Sequence, residues 1–319
     1  YTDRCSQVRN FNEHTWGRSM SAIMGLPTLF PHGRETELAW YRKIDEGPWD
    51  GLVTYERVLY PDSWSVVPQL AAAAAVTERV RLWTDVVALP MRDPVLFAKD
   101  LATVDVLSRG RLTLGVGIGA WDEDYLAVGS PLDRKRQRMD EAVAAMRRVW
   151  AQEPPVEGHH PAGPQPVQVG GIPLVAGVIG PKALARAAQW ADGVSDPAHS
   201  LHFDAEALAA QRERVMEAWR VAGRTDRPHF SAPVWFALGP DPENQLGEHV
   251  QDFWNQDVDL TGAESSFLTA PTAGTLNCGA SGLLAAVNGA REAGLDELRL
   301  VPTTADPDEI DRAREVLGI

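Results

Sequence analysis

Three kinds of short motif in this chain could do chemistry. Gly115-Val116-Gly117-Ile118-Gly119 places glycines at alternate positions. Missing side chains there would let a flat ligand or a bulky neighbour approach the backbone. The spacing is GxGxG rather than GxGxxG, and no acidic residue follows a second strand at the distance a ribose needs, so the motif does not read as a dinucleotide site. Gly180-Pro181-Lys182 follows an apolar run and opens a helical pattern. Free backbone N–H groups, the helix dipole and Lys182 would suit a phosphate there; an ordinary helix start uses the same residues. His159-His160 sits among prolines, and His199 and His202 stand three apart without a HExxH companion. Solvated loop histidines are therefore expected rather than metal ligands. Cys5 and Cys278 are the two cysteines, too few for a disulfide framework or a thiolate metal site. No GxSxG elbow or P-loop occurs in the sequence, which leaves serine hydrolase and NTPase readings without support.

Alternating elements must position these motifs. Apolar, strand-like runs at 22–30, 51–55, 80–89, 112–118, 167–178, 193–195, 230–238 and 297–301 are separated by helical patterns. Those patterns lie at 36–45, 63–77, 94–107, 136–150, 181–190, 203–221, 242–254, 281–293 and 307–317. Met139, Val143, Met146 and Trp150 form one apolar stripe, and Gly294 is a helix-stop glycine. Strands separated by helices need crossovers and a parallel sheet. About eight such units without a break in composition predict a single-domain α/β fold, a (β/α)8 TIM barrel with inserted loops. Residues 260–278 have few charges and no helical period, and are expected to be an inserted loop or lid.

Composition narrows the partners. Of 319 residues, 44% are hydrophobic and 23% charged, an ordinary globular balance. The net charge of −14 argues against a nucleic-acid partner or an anionic membrane surface. No apolar run is long enough to read as a membrane span, and a reduced, cytoplasmic protein is expected. Residues 1–19 are polar and aperiodic and precede Met20. They are expected to be a tag or leader segment, with the barrel occupying 20–319.

Four stretches together carry a family resemblance. TERVRLWTDVVALPMRDPVLFAKDLATVDVLSRGRLTLGVGIGAWDEDYLAVG (77–129), RMDEAVAAMRRVW (138–150), GPKALARAAQWADG (180–193) and GAREAGLDELRLVP (289–302) resemble the luciferase-like monooxygenase superfamily in order and spacing. The resemblance implies a barrel that binds FMN, or the deazaflavin F420, at the C-terminal ends of its strands, commonly as a dimer. It implies a bulge and a non-proline cis peptide at Thr84-Asp85, behind the ring. Gly117, Ile118 and Gly119 would lie beside the ring and ribityl chain. Arg138 would lie on the phosphate side, and Val178, Ile179 and Gly180 would form a backbone phosphate cradle. Light-emitting members carry histidine after the second strand in a Glu-His-His-like motif, where this chain has Tyr55-Glu56-Arg57. Glu56, Arg57, His32, Asp85 and Trp121 are the catalytic candidates at strand ends. Glu56–Arg57 could equally be a structural ion pair, and Trp121 packing.

The implied activity is a flavin-dependent monooxygenase taking reduced FMN from a separate reductase and oxygenating a small organic substrate. F420-dependent hydride transfer and a non-catalytic flavin-binding barrel or subunit are the alternatives. No catalytic metal is expected.

Overall fold

The computed structural model describes residues 20–199, 202–254 and 275–319. Eight parallel strands close a barrel: β1 (Ser21–Gly25), β2 (Gly51–Thr54), β3 (Arg81–Ala88), β4 (Leu112–Gly117), β5 (Leu174–Gly177), β6 (Gly193–Ser195), β8 (His229–Phe236) and β10 (Glu297–Pro302). β1 closes it by pairing with both β2 (Ile23 beside Gly51) and β10 (Ser21 beside Glu297). Because every pair is parallel, all C-terminal strand ends share one rim.

Local chemistry sets the helix ends. Asp93 accepts hydrogen bonds from the Val95 and Leu96 N–H groups at 3.0 and 2.8 Å and starts α3 (Pro94–Leu107). Pro94 loses nothing at that first position. Asp204 caps α7 (Ala205–Val221) in the same way. The Ser108–Arg111 turn ends α3 with Arg109 and Gly110 at positive φ. Arg111 then donates to the Thr77 and Val80 carbonyls at 2.7 and 2.6 Å, so this basic spot is structural.

Four observed features differ from the sequence reading. The first strand stops at Gly25 because Pro27 lacks a ladder donor. The fifth begins only at Leu174, after a turn in which Gly170 and Gly171 both adopt positive φ. A short helix, α4 (Asp122–Ala127), and an antiparallel pair, β7 (His202–Phe203) with β9 (Thr275–Leu276), were not expected. Residues 1–19 and most of 260–278 lie outside the described residues.

Alternation along the strands divides the barrel into an outer and an inner face. Outward residues such as Leu52, Leu82, Leu114, Ala176, Val194, Ala232 and Leu300 join the helices in the main hydrophobic core. Inward, Ile23, Val53, Trp83 and Val175 form a separate fully buried layer across the lumen. Charged residues flank that layer, including Arg81 and Asp85 from β3 and Glu297 and Arg299 from β10.

Candidate active site

The rim at the C-terminal strand ends is organised around an irregularity in β3. Thr84 remains in the ladder, and its hydroxyl both accepts from the Gly115 N–H at 2.9 Å and donates to the Gly115 carbonyl at 2.8 Å. The register then slips and resumes at Val87 beside Val116. The cis peptide is Asp85–Val86, one bond later than the Thr84–Asp85 bond expected from the sequence. The Thr84 hydroxyl's grip on Gly115 holds that residue in register, so the departure starts after it.

The glycine motif accommodates this bulge. A Cβ on Gly115 would sit 2.0 Å from the Thr84 carbonyl oxygen, and one on Gly117 would sit 2.7 Å from Val86 Cγ2. From β5, a Cβ on Gly177 would meet Val86 Cγ1 at 2.9 Å. Val86 is thus clasped between Gly117 and Gly177. The bulky neighbour allowed by the missing side chains is this residue.

Asp85 is fixed from inside the barrel. Ser195 Oγ donates to its Oδ1 at 3.0 Å, and Arg299 Nε lies 3.0 Å from Oδ2. Arg299 also donates to Ser195 Oγ and Ser231 Oγ at 2.6 and 2.9 Å. Burial pushes the Asp85 carboxyl up, against the opposing pull of Arg299 and Ser195. Deeper down, burial would raise Glu297, but His229, Arg81 and Arg299 together hold it below its ordinary value.

The proposed phosphate end lies at the neighbouring strand ends. Gly180 precedes α6 (Pro181–Ala187) in an extended conformation, and a Cβ there would meet no atom within 4 Å. Val178 N–H is committed to the Ser195 carbonyl at 3.2 Å. The Ile179 carbonyl accepts from Gln211 Nε2 at 2.9 Å. Arg186 joins Asp140 at 2.5 Å, tying α6 to the start of α5 (Lys135–Trp150), which carries Arg138. Arg138 donates to Ser130 Oγ at 3.0 Å and to the Pro131 carbonyl, while its buried Nε has no partner among the described residues. Its guanidinium also faces the Tyr125 ring at 5.6 Å. Tyr125 donates to the Ile118 carbonyl at 2.5 Å and lies beside Gly119, which has φ +71°. One tyrosine therefore connects Ile118, Gly119 and Arg138.

The catalytic candidates are distributed differently. Glu56 and Arg57 do not pair with one another. Glu56 accepts from the Val66 N–H at 2.6 Å at the start of α2 (Val66–Val76) and pairs with Arg92. Arg57 donates to Asp124 at 2.8 Å and Glu123 at 3.3 Å, and its guanidinium lies 3.6 Å from the Trp121 ring centre. Arg57 Nη1 is buried without a partner among the described residues.

His32 lies beyond the end of β1, with Nε2 2.8 Å from Glu37 and Nδ1 2.6 Å from the Phe30 carbonyl. It stacks on Trp64 at 5.1 Å. Glu37 accepts from Gln69 Nε2 at 2.7 Å, and Gln69 accepts from the Thr54 hydroxyl. Burial lowers the His32 pKa, but the Glu37 hydrogen bond, the Phe30 carbonyl and the charges of Glu37 and Asp62 outweigh it, leaving a net rise.

Sequence reasoning missed the aromatic cap on the rim. Trp235, Leu29, Phe253 and Val301 form a distinct buried cluster, joined by Tyr55, Tyr60 and Trp121. His249 from α8 (Pro242–Trp254) lies against it, its ring 4.7 Å from Trp235 and 5.3 Å from Phe30. The signal was the four-residue spacing of His249 and Phe253 on one helix. Arg299 was also missed, though alternation in ELRLVP puts Glu297 and Arg299 on one strand face. His159 and His160 are exposed. A surface cavity of about 270 Å³ lined by Arg147, Gln189, Trp190, Asp192 and Arg224 lies beside the N-terminal end of β6, away from this rim. No His, Cys, Asp and Glu cluster suited to a metal occurs among the described residues.

Known proteins resemble this chain in sequence and fold. An uncharacterized protein of Mycobacterium tuberculosis is 38% identical over 188 residues, covering 56% of this chain and 62% of that relative. A 4-hydroxyprotoasukamycin monooxygenase of Streptomyces nodosus subsp. asukaensis is 29% identical over 252 residues, covering 72% of this chain and 67% of that enzyme. A crystal structure of a monooxygenase from Streptomyces bottropensis superposes with a TM-score of 0.72 at 22% identity, covering 93% of this chain and 97% of that one. An F420-dependent secondary alcohol dehydrogenase in complex with an F420-acetone adduct gives a TM-score of 0.71 at 19% identity, covering 94% and 98%. The luciferase-like monooxygenase family model matches residues 32–318, and the chain belongs to that family.

Proposed function

We propose that this protein is a monooxygenase that uses reduced FMN and oxygen on a small organic substrate. The observation that carries the reading is the Val86 bulge clasped between Gly117 and Gly177, beside an open backbone start at Gly180. Family membership and the 29%-identical monooxygenase relative support the same reaction class. The residues fit a flavin-type group. Gly180 leaves space that a Cβ would fill, and Arg138, on the helix that the Arg186–Asp140 pair ties to α6, has an unpartnered buried Nε. Gly180, Ile179 and Arg138 would hold the phosphate, with Val178 bracing the cradle through Ser195. Thr84, Asp85, Gly117, Ile118 and Gly119 would border the ring.

Bound reduced FMN would supply the electrons that activate oxygen. This chain's own residues orient and shield. Asp85, locked by Ser195 and Arg299, keeps the bulge in place. Trp121, backed by Arg57, helps the aromatic cap exclude water from the reacting centre. His32, whose affinity for a proton Glu37 raises, can hold a proton at the rim. The same reading places the protein in the cytoplasm as a homodimer, served by a separate reductase.

F420-dependent hydride transfer is the second reading, favoured by the likeness to the F420-dependent dehydrogenase fold. Anaerobic titration with reduced FMN and reduced F420 in parallel separates the two. Preferential binding of reduced FMN, followed by substrate oxygenation on admitting air, is expected. Preference for F420 would transfer the assignment to hydride transfer. Binding without oxidation of either cofactor, across a substrate panel, would favour a non-catalytic flavin-binding barrel. Arg138→Ala should cost about 1.5–3 kcal/mol of cofactor affinity through loss of a charge-assisted hydrogen bond. Unchanged affinity would place the phosphate elsewhere.

A further inference from the structure

His249 is an unusual member of the aromatic cap. It is 4% exposed, and its Nε2 has no hydrogen-bond partner among the described residues. A buried polar atom left unpaired costs free energy unless a partner arrives. Its surroundings are rings. Trp235 meets it edge-on at 86°, Phe30 stacks at 5.3 Å, and Phe253 lies 6.1 Å away. Phe253 in turn meets Trp235 at 69° and Trp121 at 85°. Edge-to-face rings present both π-faces and hydrogen-bearing edges, the surfaces that a further planar ring prefers.

The cap is continuous with the candidate reaction centre. Trp235 pairs in register with Val301 on the rim, and Tyr55 packs against the same cluster. Burial pushes the Tyr55 hydroxyl up, with Tyr60 and Asp85 adding to the rise. The guanidinium beside Trp121 is charge-balanced by Asp124 and Glu123, which leaves Arg57 Nη1 as a further polar donor at the edge of the cap.

We propose that Trp235, Phe253, Phe30 and Trp121 form a pocket for an uncharged aromatic substrate, and that His249 Nε2 hydrogen-bonds its polar substituent. This rests on the oxidoreductase reading above and names the substrate class of the same site. His249 is a specificity residue that touches substrate and takes no part in electron transfer. Burial pushes its imidazole down to about 4, so at neutral pH it is uncharged and suits a hydroxyl better than a carboxylate.

Binding can be tested without turnover. Full-length protein is titrated calorimetrically with β-naphthol, β-naphthoate and decahydro-β-naphthol, with and without FMN. β-Naphthol should bind at least about tenfold more tightly than its anionic or saturated counterparts. His249→Phe, which keeps a ring and removes the nitrogen, should weaken β-naphthol about tenfold, while His249→Gln should retain most of the affinity. Equal affinity of wild type and His249→Phe, or preference for β-naphthoate or the saturated alcohol, would overturn the proposal. So would absence of β-naphthol binding to a wild type that binds FMN. Binding of β-naphthol by a protein that takes neither FMN nor F420 would leave the pocket standing and remove the oxidoreductase reading. Trp235→Leu, with folding checked by circular dichroism, provides an independent variant and should weaken β-naphthol.

Discussion

At the residue scale, the rim is held by charges whose partners lie elsewhere than sequence adjacency suggests. His32 is paired with Glu37, and its folded-state pKa is raised. Its contribution to stability is therefore complete below the unfolded value of about 6.5 and is lost as pH rises through the folded value. Melting temperatures of wild type and His32→Asn should differ most below the unfolded value and converge as pH rises through the raised folded one. A gap that widens with pH would reverse this account. Arg57 gives a second residue-level prediction. Arg57→Met would leave the buried Asp124 carboxylate without its guanidinium and should destabilise by about 3–5 kcal/mol in urea titration. Adding Asp124→Asn should recover part of that loss, which an effect confined to Trp121 packing would not allow.

At the element scale, β3 and β4 form a matched pair: the bulge in one needs glycine in the other. Gly115→Ala would drive a Cβ into the Thr84 carbonyl, and strand displacement should cost about 3 kcal/mol of stability. Gly180→Val meets open space at an extended φ and should change stability by less than about 1 kcal/mol. It should nevertheless weaken cofactor binding by filling the cradle, so thermal melts and cofactor titrations should separate the two variants. The barrel strands were legible because β-branched runs, proline starts and glycine stops all act locally. The clasp on Val86 was not, because it depends on the register between three strands. Adjacency in the sequence could not show that Glu56 and Arg57 face different partners. The partners come from α2, α4 and the turn after β3, which tertiary packing alone brings near. His249 escaped notice for the same reason: its ring neighbours come from β8 and from the loop after β1.

At the scale of the whole molecule, the barrel interior carries its own charge balance. Glu297 is fully buried, with Arg81 at 2.8 Å and Arg299 at 3.7 Å. Its depressed pKa means that its stabilisation is present above the unfolded value of about 4.3 and is lost as pH falls through the folded one. Glu297→Gln should cost about 3–5 kcal/mol at neutral pH, because two arginines remain without it. The stability difference from wild type should shrink in strong acid; an undiminished difference there would point to lost packing instead. The layer of Ile23, Val53, Trp83 and Val175 has a consequence of another kind. It stoppers the lumen, so traffic cannot pass from one end of the barrel to the other. Whatever settles deepest at the rim must arrive first and depart last. A cofactor resting over the bulge would be trapped beneath a substrate seated under the aromatic cap. Loading would then follow a compulsory order, written into the core by four side chains that touch neither guest.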